Sequence, residues 1–442
     1  MRCRPAAAGL PDAMLPAVLW ALMMTAACNG GAEPGAFIPT GTPTPTPIVT
    51  QTPAITPTSA STPTPAITPT PAPSVDFGAA VVGDDGSGFI HGLQVAKVED
   101  ARRQALPTPQ QTFAPLDATD IDGVSITPDG THGAAIDGVN NTVFFFTMNF
   151  SRGAIAVSPA TVDVSAYGGD GDTIASLPGG DAVVASAGGF SALPLISGVL
   201  SDKPVVADLI PTGRRGVEHD GLVISSDGMV MLSRAGAAGL LDVYSILQVA
   251  PHPGSLGGTV AFQFTLTNMV PIPAAASLDG REGMAISPTD SSRAVVVGGD
   301  GSVNLLADLP ANVTFKDALK LASAANAVAI SIDGKFAIVA TNSGLAVFSG
   351  VDTGKLAQVG PLYSPTFSTP SGSCTLHSPD TLAVTSDGKF VLTIQQCHLV
   401  QSVTQVGSGV MLTIPFSAGV LGPPAGRLDY AVTPDDDQLV AH

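Results

Sequence analysis

The chain has 442 residues, only 12% of them charged, and a formal net charge of −18 at pH 7. A surface this acidic repels a phosphate backbone, and no basic stripe runs along the sequence, which argues against nucleic-acid binding. The scarcity of charge and the positive mean hydropathy indicate a chain built from buried strands rather than from charged amphipathic helices.

Residues 1–27 have the layout of a secretory signal. Arg2 and Arg4 precede an apolar stretch that is shorter than the ~20 residues a membrane-spanning helix needs. The stretch ends in Thr25-Ala-Ala-Cys28, which resembles a bacterial lipobox, although Thr25 departs from the usual leucine. The resemblance implies palmitate or another acyl chain on Cys28. Ordinary signal-peptide cleavage just before this cysteine is the alternative.

Residues 28–75 are rich in threonine and proline, as in Thr40-Gly-Thr-Pro-Thr-Pro-Thr-Pro47. Proline fixes φ and favours the extended polyproline form, so we predict a disordered, semi-rigid stalk. Behind a lipid anchor, the stalk would hold a folded domain, residues 76–442, away from a membrane. Asn29, which follows the lipobox cysteine, favours by analogy the outer membrane of a Gram-negative cell, on its periplasmic side or at the cell surface.

A nine-residue pattern recurs about every 50 residues through the rest of the chain. Each copy is a short β-compatible run followed by a turn, most often Ser or Thr, any residue, Asp and Gly. Six copies are clear and the second is weaker; the seven occupy residues 122–130, 172–180, 220–228, 282–290, 326–334, 380–388 and 428–436.

The copy at 326–334 shows the local structure that the pattern predicts. Val328-Ala-Ile330 forms a strand and Ser331-Ile-Asp-Gly334 a turn, and Phe336–Val339 and Leu345–Phe348 follow as further strands. This is an antiparallel meander with tight hairpins. A period of about 50 residues is typical of a four-stranded propeller blade, whereas helical solenoids have shorter periods.

The succession of strand, Ser/Thr-Pro-Asp-Gly, strand and Ala-Thr-Asn resembles the YVTN-type β-propeller repeat, which lactonase-like propellers share. Thr127-Pro-Asp-Gly130, Val339-Ala-Thr-Asn342 and Thr433-Pro-Asp435 carry the match. The resemblance implies an all-β fold, a seven-bladed β-propeller over residues 76–442. It also brings a lactonase-like hydrolase into consideration, although a fold does not by itself imply a function.

The last blade is expected to be shared between the two ends of this domain. Residues 428–442 would supply its inner strands and residues 76–118 its outer strands, with candidates at Leu93–Val98 and Thr112–Leu116. Closing the ring in this way removes exposed sheet edges. The widest spacing between copies predicts a loop insertion around residues 247–280.

An acidic or amide residue stands seven positions before the turn in six of the copies. In a propeller these positions begin the innermost strands, so they would form a ring at one mouth of the central channel. Like charges so close together need compensation, which a divalent cation such as Ca²⁺ would supply through oxygen ligands. The predicted metal-binding set is Asp122, Asp172, Asp220, Glu282, Asn326 and Asp380; the last copy has Leu428 instead.

Two other interpretations of this ring stay open. Each carboxylate could instead accept backbone N–H bonds from its own or a neighbouring blade, which would make the ring structural. Direct catalysis is the third interpretation. Basic residues near the ring would neutralise it or bind an anionic ligand; they are Arg214, Arg215, His219 and Arg281.

Cys374 and Cys397 form an even pair in the exported domain, once Cys3 and Cys28 are assigned to the signal and the anchor. Such a pair in an oxidising compartment predicts a disulfide, which on the chain-entropy model contributes ~3 kcal/mol. A zinc site formed with the neighbouring histidines is the alternative, disfavoured because adjacent Cys and His side chains cannot easily bind one ion.

The anchor, the stalk and the repeat together predict a cell-envelope lipoprotein. It would display a monomeric propeller as a binding or scaffold module, with a protein or small-molecule ligand at the channel face. The alternative is a metal-dependent lactonase-like hydrolase with its site at the acidic mouth, and a third is an adhesin that uses the insertion near 247–280. The sequence contains no phosphate loop, no Gly-x-Ser-x-Gly elbow and no His-Glu-x-x-His motif, so no catalytic residue is assigned.

Overall fold

A computed structural model gives the fold of the chain. It describes residues 78–84, 89–95, 111–113, 121–127, 130–149, 154–164, 173–178, 182–186, 190–196, 199–200, 219–235, 240–249, 261–272, 283–369, 372–396, 409–429 and 439–441. Every regular element in these ranges is a β-strand. Within them, no helix has the length and apolar character needed to cross a membrane.

The strands form antiparallel meanders that follow the sequence repeat, and we label the larger sheets A to G. Sheet A begins with β1 (Gly78–Asp84), β2 (Phe89–Val95) and β3 (Gln111–Phe113). Sheet B comprises β4 (Ile121–Ile126), β5 (His132–Asp137), β6 (Thr142–Asn149) and β7 (Ala154–Asp163). Sheet C comprises β8 (Thr173–Ser176), β9 (Ala182–Ser186), β10 (Phe190–Ile196) and β11 (Val199–Leu200).

Three more sheets continue the series in the middle of the chain. Sheet D comprises β12 (His219–Ile224), β13 (Val230–Ala235), β14 (Leu240–Val249) and β15 (Ala261–Pro271). Sheet E comprises β16 (Met284–Ile286), β17 (Ala294–Val297), β18 (Ser302–Ala307) and β19 (Thr314–Lys320). Sheet F comprises β20 (Ala325–Ile330), β21 (Phe336–Thr341), β22 (Gly344–Ser349) and β23 (Ala357–Gln358).

The C-terminal part adds a hairpin, a five-stranded sheet and one closing strand. The hairpin consists of β24 (Thr366–Thr369) and β25 (Gly372–Thr375). Sheet G comprises β26 (Thr381–Val384), β27 (Phe390–Gln396), β28 (Gly409–Ser417), β29 (Val420–Leu421) and β30 (Gly426–Asp429). The closing strand β31 (Leu439–Ala441) pairs with β1 and so completes sheet A.

In sheets B to G the first strand lies innermost, and in sheet A the innermost strand is the closing strand β31. Contacts between these innermost strands run in the order β4, β8, β12, β16, β20, β26 and β31, and β31 in turn contacts β4. The sheets are therefore arranged in a closed ring around the inner strands. The predicted all-β propeller fold is confirmed.

Apolar side chains fill the seams between neighbouring sheets. Leu222 and Tyr244 of sheet D pack with Ala175 and Leu177 of sheet C in one such seam. Similar clusters join B to C, D to E, E to F and F to G. Because both faces of each blade meet a neighbour, the strands are apolar on both sides, which explains the positive mean hydropathy.

The repeated turns adopt the conformation that the sequence predicts. Gly130, Gly228, Gly334 and Gly388 have φ between +67° and +71°, a region in which a Cβ is disfavoured. In each turn the glycine N–H donates to the carbonyl of the Ser or Thr three residues earlier, over 2.7–2.9 Å. The Asp-Gly pairs therefore connect each inner strand to its return strand.

Sheet A is shared between the two ends of the domain, but its strands differ from those expected. β2 and β3 replace the predicted Leu93–Val98 and Thr112–Leu116, and the sequence analysis missed β1 altogether. Leu428 lies on β30, paired with Met411 of sheet G, and does not begin an inner strand of the last blade. Among the described residues after β29, β31 joins sheet A and β30 joins sheet G, so residues 428–429 do not belong to the last blade as expected.

The described part of the insertion predicted around residues 247–280 belongs to a hairpin. β14 and β15 pair from Leu240 with Pro271 to Val249 with Ala261. β13 pairs only as far as Ser245 of β14, so the hairpin extends beyond the rest of sheet D. The period of the repeat revealed the extra length, but spacing alone carries no information on its structure.

Neighbouring turns pack against each other, which predicts an unusual sensitivity at Gly334. A Cβ on this residue would clash with Thr289 Oγ1 and come within 2.9 Å of Ser287 Oγ, both in the turn that follows β16 in the neighbouring sheet E. Gly360 has the same φ of +71° but nothing within 4 Å of its Cβ position. We expect Gly360→Ala to cost about 1 kcal/mol of backbone strain, and Gly334→Ala to cost a further ~1–3 kcal/mol from overpacking.

Urea unfolding of the two variants measures this difference. Because the backbone strain is matched, the extra loss in Gly334→Ala reports only the contact between turns. Equal losses in the two variants would show that the turns are not packed together as described.

Candidate site at the channel mouth

A β-bulge places the predicted polar residue at the start of three inner strands. The pairing register skips Asp122 between Ile121 and Gly123, and it skips Asp220 and Asn326 in the same way. A bulge leaves its extra residue out of the strand ladder and redirects the side chain. The repeated polar position is therefore a repeated backbone irregularity at one mouth of the channel.

Two of these side chains hold the second turn of their own sheet. Asp122 Oδ2 accepts a hydrogen bond from the Gly138 N–H over 2.7 Å. Asn326 Nδ2 donates to Asn342 Oδ1 over 3.1 Å, and Asn342 stands sixteen residues later, as Gly138 does after Asp122. The same sequence offset thus joins the ring position to the second turn in both sheets, through a backbone N–H in sheet B and through the Asn342 side chain in sheet F.

Neighbouring positions of the ring approach one another at two points. Asn326 Nδ2 also donates over 3.2 Å to the carbonyl of Pro379, the residue before Asp380. A Cβ on Gly123 would lie 3.0 Å from Thr173 Cα, so the backbones of β4 and β8 are also close beside Asp122. The structure thus brings Asn326 near Asp380, an adjacent member of the predicted set, as a propeller requires.

The remaining members of the set are only partly described. Asp380 is half-buried, and its N–H donates to the Ile394 carbonyl over 3.0 Å. Asp220 is described as a backbone position of β12. The other candidates lie outside the described residues: Asp172, Glu282, Arg214, Arg215 and Arg281.

A second polar position, which the sequence analysis missed, stabilises the same mouth from the end of the return strand. Asp137, Thr341 and Gln395 each stand fifteen residues after a ring position and are at most 1% exposed. Asp137 Oδ1 accepts from the Asn140 N–H over 2.9 Å, and Thr341 Oγ1 accepts from the Ser343 N–H over 3.1 Å. The recurrence of a polar residue fifteen positions after a ring residue is the sequence pattern that could have predicted this second set.

Arg234 is a further residue that sequence reasoning overlooked. It lies on β13 opposite Gly221, next to the bulge at Asp220, and is only 4% exposed. The corresponding residues in sheets B and F are Ile136 and Ala340, both apolar. A buried guanidinium requires charge or hydrogen-bond partners, so sheet D differs from sheets B and F in having a buried cation at this register position.

The metal prediction has geometric support only in the convergence of the ring. Within the described ranges, no three His, Cys, Asp or Glu side chains are grouped closely enough to hold a metal ion. One oxygen of the Asp122 carboxylate accepts the Gly138 N–H, which agrees with the structural interpretation at that position. Ca²⁺ binding by the whole set stays a prediction, because two of its carboxylates lie outside the described residues.

The opposite end of the ring carries a second set of aspartates, one in each of three described turns. Asp227, Asp333 and Asp387 each accept a 2.6 Å hydrogen bond from the Ser or Thr hydroxyl two residues earlier. Burial raises the pKa of each carboxyl, but these hydroxyls and nearby backbone N–H groups outweigh it, so each pKa lies below the ordinary 3.8. These carboxylates therefore stay ionised.

The turns also meet their neighbours, so the ring positions are not the only place where the repeats converge. A Cβ on Gly388 would lie 2.5 Å from Ile332 Cγ2 in the preceding turn, and one on Gly228 would lie 3.2 Å from Pro178 Cδ. Ser226 Oγ donates to the Pro288 carbonyl over 2.8 Å. The Asp-Gly turns form a packed rim of their own, at the far mouth from the bulges.

Cys374 lies on β25, paired with Phe367 of β24, and is 1% exposed. Gln395 Nε2 donates to Cys374 Sγ over 3.3 Å, and Gln395 Oε1 accepts from the His377 N–H over 2.8 Å. Cys397 and His398 follow the end of β27 and lie outside the described residues. Neither the disulfide nor the zinc alternative is therefore tested by the described side chains.

Comparisons with known proteins identify structural neighbours of the fold. No family model matches the chain, and no curated protein matches it by sequence. A proposed 6-phosphogluconolactonase from Bacteroides uniformis is similar in structure, with a TM-score of 0.56 and 18% identity over 83% of this chain and 100% of that one. The periplasmic gluconolactonase of Pseudomonas aeruginosa has a TM-score of 0.53 and 15% identity, covering 82% and 99%.

A second Bacteroides protein, a proposed 6-phosphogluconolactonase from Bacteroides fragilis, has a TM-score of 0.55 and 15% identity, covering 81% and 99%. At such identities the likeness shows a shared propeller architecture. The resemblance to lactonase-like propellers noted in the sequence is thereby confirmed at the level of fold.

Replacing Asp122 separates a structural ring position from a metal ligand. Asp122→Ala removes the acceptor for the Gly138 N–H, and we expect a loss of about 1–2 kcal/mol in the free energy of unfolding. Asp122→Asn keeps an oxygen acceptor and should lose less. Asp352→Ala, which removes an exposed loop carboxylate, is the charge-matched control.

The same unfolding curves are measured with EDTA and with added Ca²⁺. If Asp122 only accepts the Gly138 N–H, the difference in the free energy of unfolding between Asp122→Ala and the native chain is the same with EDTA and with Ca²⁺. A native chain that Ca²⁺ stabilises and Asp122→Ala no longer responds to would establish the metal interpretation instead.

Proposed function

We propose that the chain is a lipid-anchored cell-envelope protein whose seven-bladed propeller is a binding or scaffold module. Seven inner strands in cyclic contact support the blade count. The lipobox-like Cys28 and the Thr/Pro-rich residues 28–75 support the anchor and the stalk. Anchor and stalk together place the propeller in the envelope, at the outer membrane, where it presents its channel face to a ligand.

One observation favours binding over catalysis. The ring side chains with described contacts, Asp122 and Asn326, are used to cap turns of their own sheets. A catalytic carboxylate must reach the reacting atoms, whereas a capping carboxylate holds the loops of the face in place. A face with fixed loops and negative charge suits recognition of a cationic or hydroxyl-rich ligand.

The covalent link between Cys374 and Cys397 belongs to the same proposal. The proposed partner of Cys374 is Cys397, the other cysteine of residues 76–442. Gln395, two residues before Cys397, already contacts the Cys374 sulfur, and alternate residues of a strand share a face. The bond would tie the β24–β25 hairpin to sheet G.

Hydrolysis of a lactone is the second candidate function. It is supported by the structural likeness to the proposed 6-phosphogluconolactonases and the periplasmic gluconolactonase. A divalent cation held by the acidic mouth would polarise the lactone carbonyl. The contact of Asp122 does not favour this candidate, because one of its carboxylate oxygens already accepts the Gly138 N–H and is less available to a metal ion.

The anchor is tested by labelling cells with radioactive palmitate. We expect label on the native protein and none on Cys28→Ser, with Cys3→Ser as the matched control that keeps its label. Equal labelling of Cys28→Ser would contradict the anchor, and the binding module would then need another route to the envelope.

The hydrolase candidate is tested by following proton release from gluconolactone and its 6-phosphate. Under the binding proposal, the rate with the purified chain equals the uncatalysed rate, with or without Ca²⁺. A metal-dependent rate that falls at least tenfold in Asp122→Asn would replace the binding proposal by the enzymatic one.

A further inference from the structure

Ser378, between β25 and β26, has a backbone conformation that no tight hairpin explains. Among the described residues, four other than glycine have positive φ: Asn141, Asp308, Ser378 and Ala418. Asparagine and aspartate tolerate this region because their short polar side chains bond locally, and Ala418 belongs to the two-residue turn between β28 and β29. Ser378, with a φ of +45°, belongs to neither case, and it precedes Pro379, which favours an extended conformation in the residue before it.

Contacts from two sheets hold Ser378 in this conformation. Its N–H donates to the carbonyl of Asn342, in the second turn of sheet F, over 3.3 Å. The His377 N–H donates to Gln395 Oε1 of sheet G over 2.8 Å, and Asn326 Nδ2 donates to the carbonyl of the residue after Ser378 over 3.2 Å. A strained backbone persists only where the surrounding structure over-determines it, and such residues cluster at functional sites.

The strained segment brings a serine hydroxyl and an imidazole together beside the ring position Asp380. Ser378 Oγ and His377 Nδ1 are 3.1 Å apart, within the distance expected between a nucleophile and its base. The hydroxyl also faces the Asn342 carbonyl, but at 3.5 Å, which makes the weaker contact. Ser378 is half-buried and His377 is exposed, so a ligand can reach both side chains. In the tautomer with its proton on Nε2, the imidazole accepts the hydroxyl proton at Nδ1.

The Asn342 side chain supplies a hydrogen-bond donor beside this pair. Its Oδ1 accepts from Asn326 Nδ2 over 3.1 Å, which fixes the orientation of the amide group. Asn342 is exposed, and within the part of the chain that the structure describes no group accepts from its Nδ2. An amide N–H in such a place can stabilise the negative charge that develops on a carbonyl oxygen during attack by a serine.

We propose that Ser378 is the nucleophile and His377 the general base of an esterase site for uncharged, open-chain esters. Ser378 Oγ attacks the ester carbonyl carbon while its proton moves to His377 Nδ1, and Asn342 Nδ2 donates to the carbonyl oxygen. The bond to the alcohol oxygen then breaks, the alcohol takes the proton from the imidazole, and the acyl group stays on Ser378. Water, deprotonated by His377, attacks the acyl group, which releases the carboxylic acid and restores the serine.

The surroundings of the pair favour substrates without charge. Residues 356–379 contain no Asp, Glu, Lys or Arg, so this segment offers no ion pair to a charged acyl or alcohol group. The acidic ring positions nearby, such as Asp380, repel carboxylates and phosphates. The reaction requires no metal ion and uses none of the ring carboxylates. It therefore goes beyond the binding function and differs from the metal-dependent hydrolysis of a lactone.

Covalent labelling of the purified chain tests the nucleophile. A fluorophosphonate probe loses fluoride when a reactive serine attacks its phosphorus, and mass spectrometry of the digested protein identifies the labelled residue. We expect label on Ser378 in the native chain and no label in Ser378→Ala. Hydrolysis of p-nitrophenyl acetate should fall roughly tenfold or more in Ser378→Ala and in His377→Gln, because each lacks one partner of the proton transfer.

The matched control is Ser364→Ala, which removes another serine hydroxyl of the same segment, one that donates to the Leu376 carbonyl over 2.7 Å. It should keep the label and the rate. Ser378→Gly relieves the backbone strain, so it should be at least as stable to urea as the native chain and yet inactive. A native chain that takes no label at Ser378, or a Ser378→Ala or Ser378→Gly chain that hydrolyses the ester as fast as the native chain, overturns the proposal.

Discussion

The whole architecture depends on the close approach of neighbouring inner strands. Gly123 on β4 lies so near the backbone of Thr173 and Ile174 on β8 that a Cβ would crowd both. Ser125 Oγ and Ser176 Oγ join the same two strands by a 2.8 Å hydrogen bond. Small residues at the centre let the inner strands converge, and the sheets then spread outward with room for larger apolar side chains in the seams.

Crowding at the centre also explains why polar residues have different contacts at the two mouths of the channel. At one mouth the bulges turn Asp122 and Asn326 out of the ladder, where their side chains cap loops. At the other mouth the hydroxyl and carboxylate pairs, such as Ser331 with Asp333, stiffen turns that touch their neighbours. Both sets of polar residues recur because the inner strand of each blade must end in a turn beside the crowded centre. A recurrent carboxylate in a repeat protein is thus no evidence of chemistry by itself.

The sequence predicted those parts of the fold that local physics determines. The turn at Ser331–Gly334 and its flanking strands follow from glycine's freedom at positive φ and from the short apolar runs on either side. β1, the exact share of the C-terminus in sheet A and the β14–β15 hairpin depend on partners distant in sequence, for which no local pattern exists. Arg234 was overlooked because its position is apolar in sheets B and F, so the repeat concealed it.

The pairing of β1 with β31 has a consequence for how the protein folds. Every other sheet is a local meander and can form soon after its own residues are available, because its loops are short. Ala80 and Ala441, by contrast, meet only after all the intervening sheets have taken up their curvature. We therefore expect ring closure to be the last step of folding, and until then the edge of β1 is exposed to capture by other chains. The proposed tether would keep each unfinished ring apart from its neighbours.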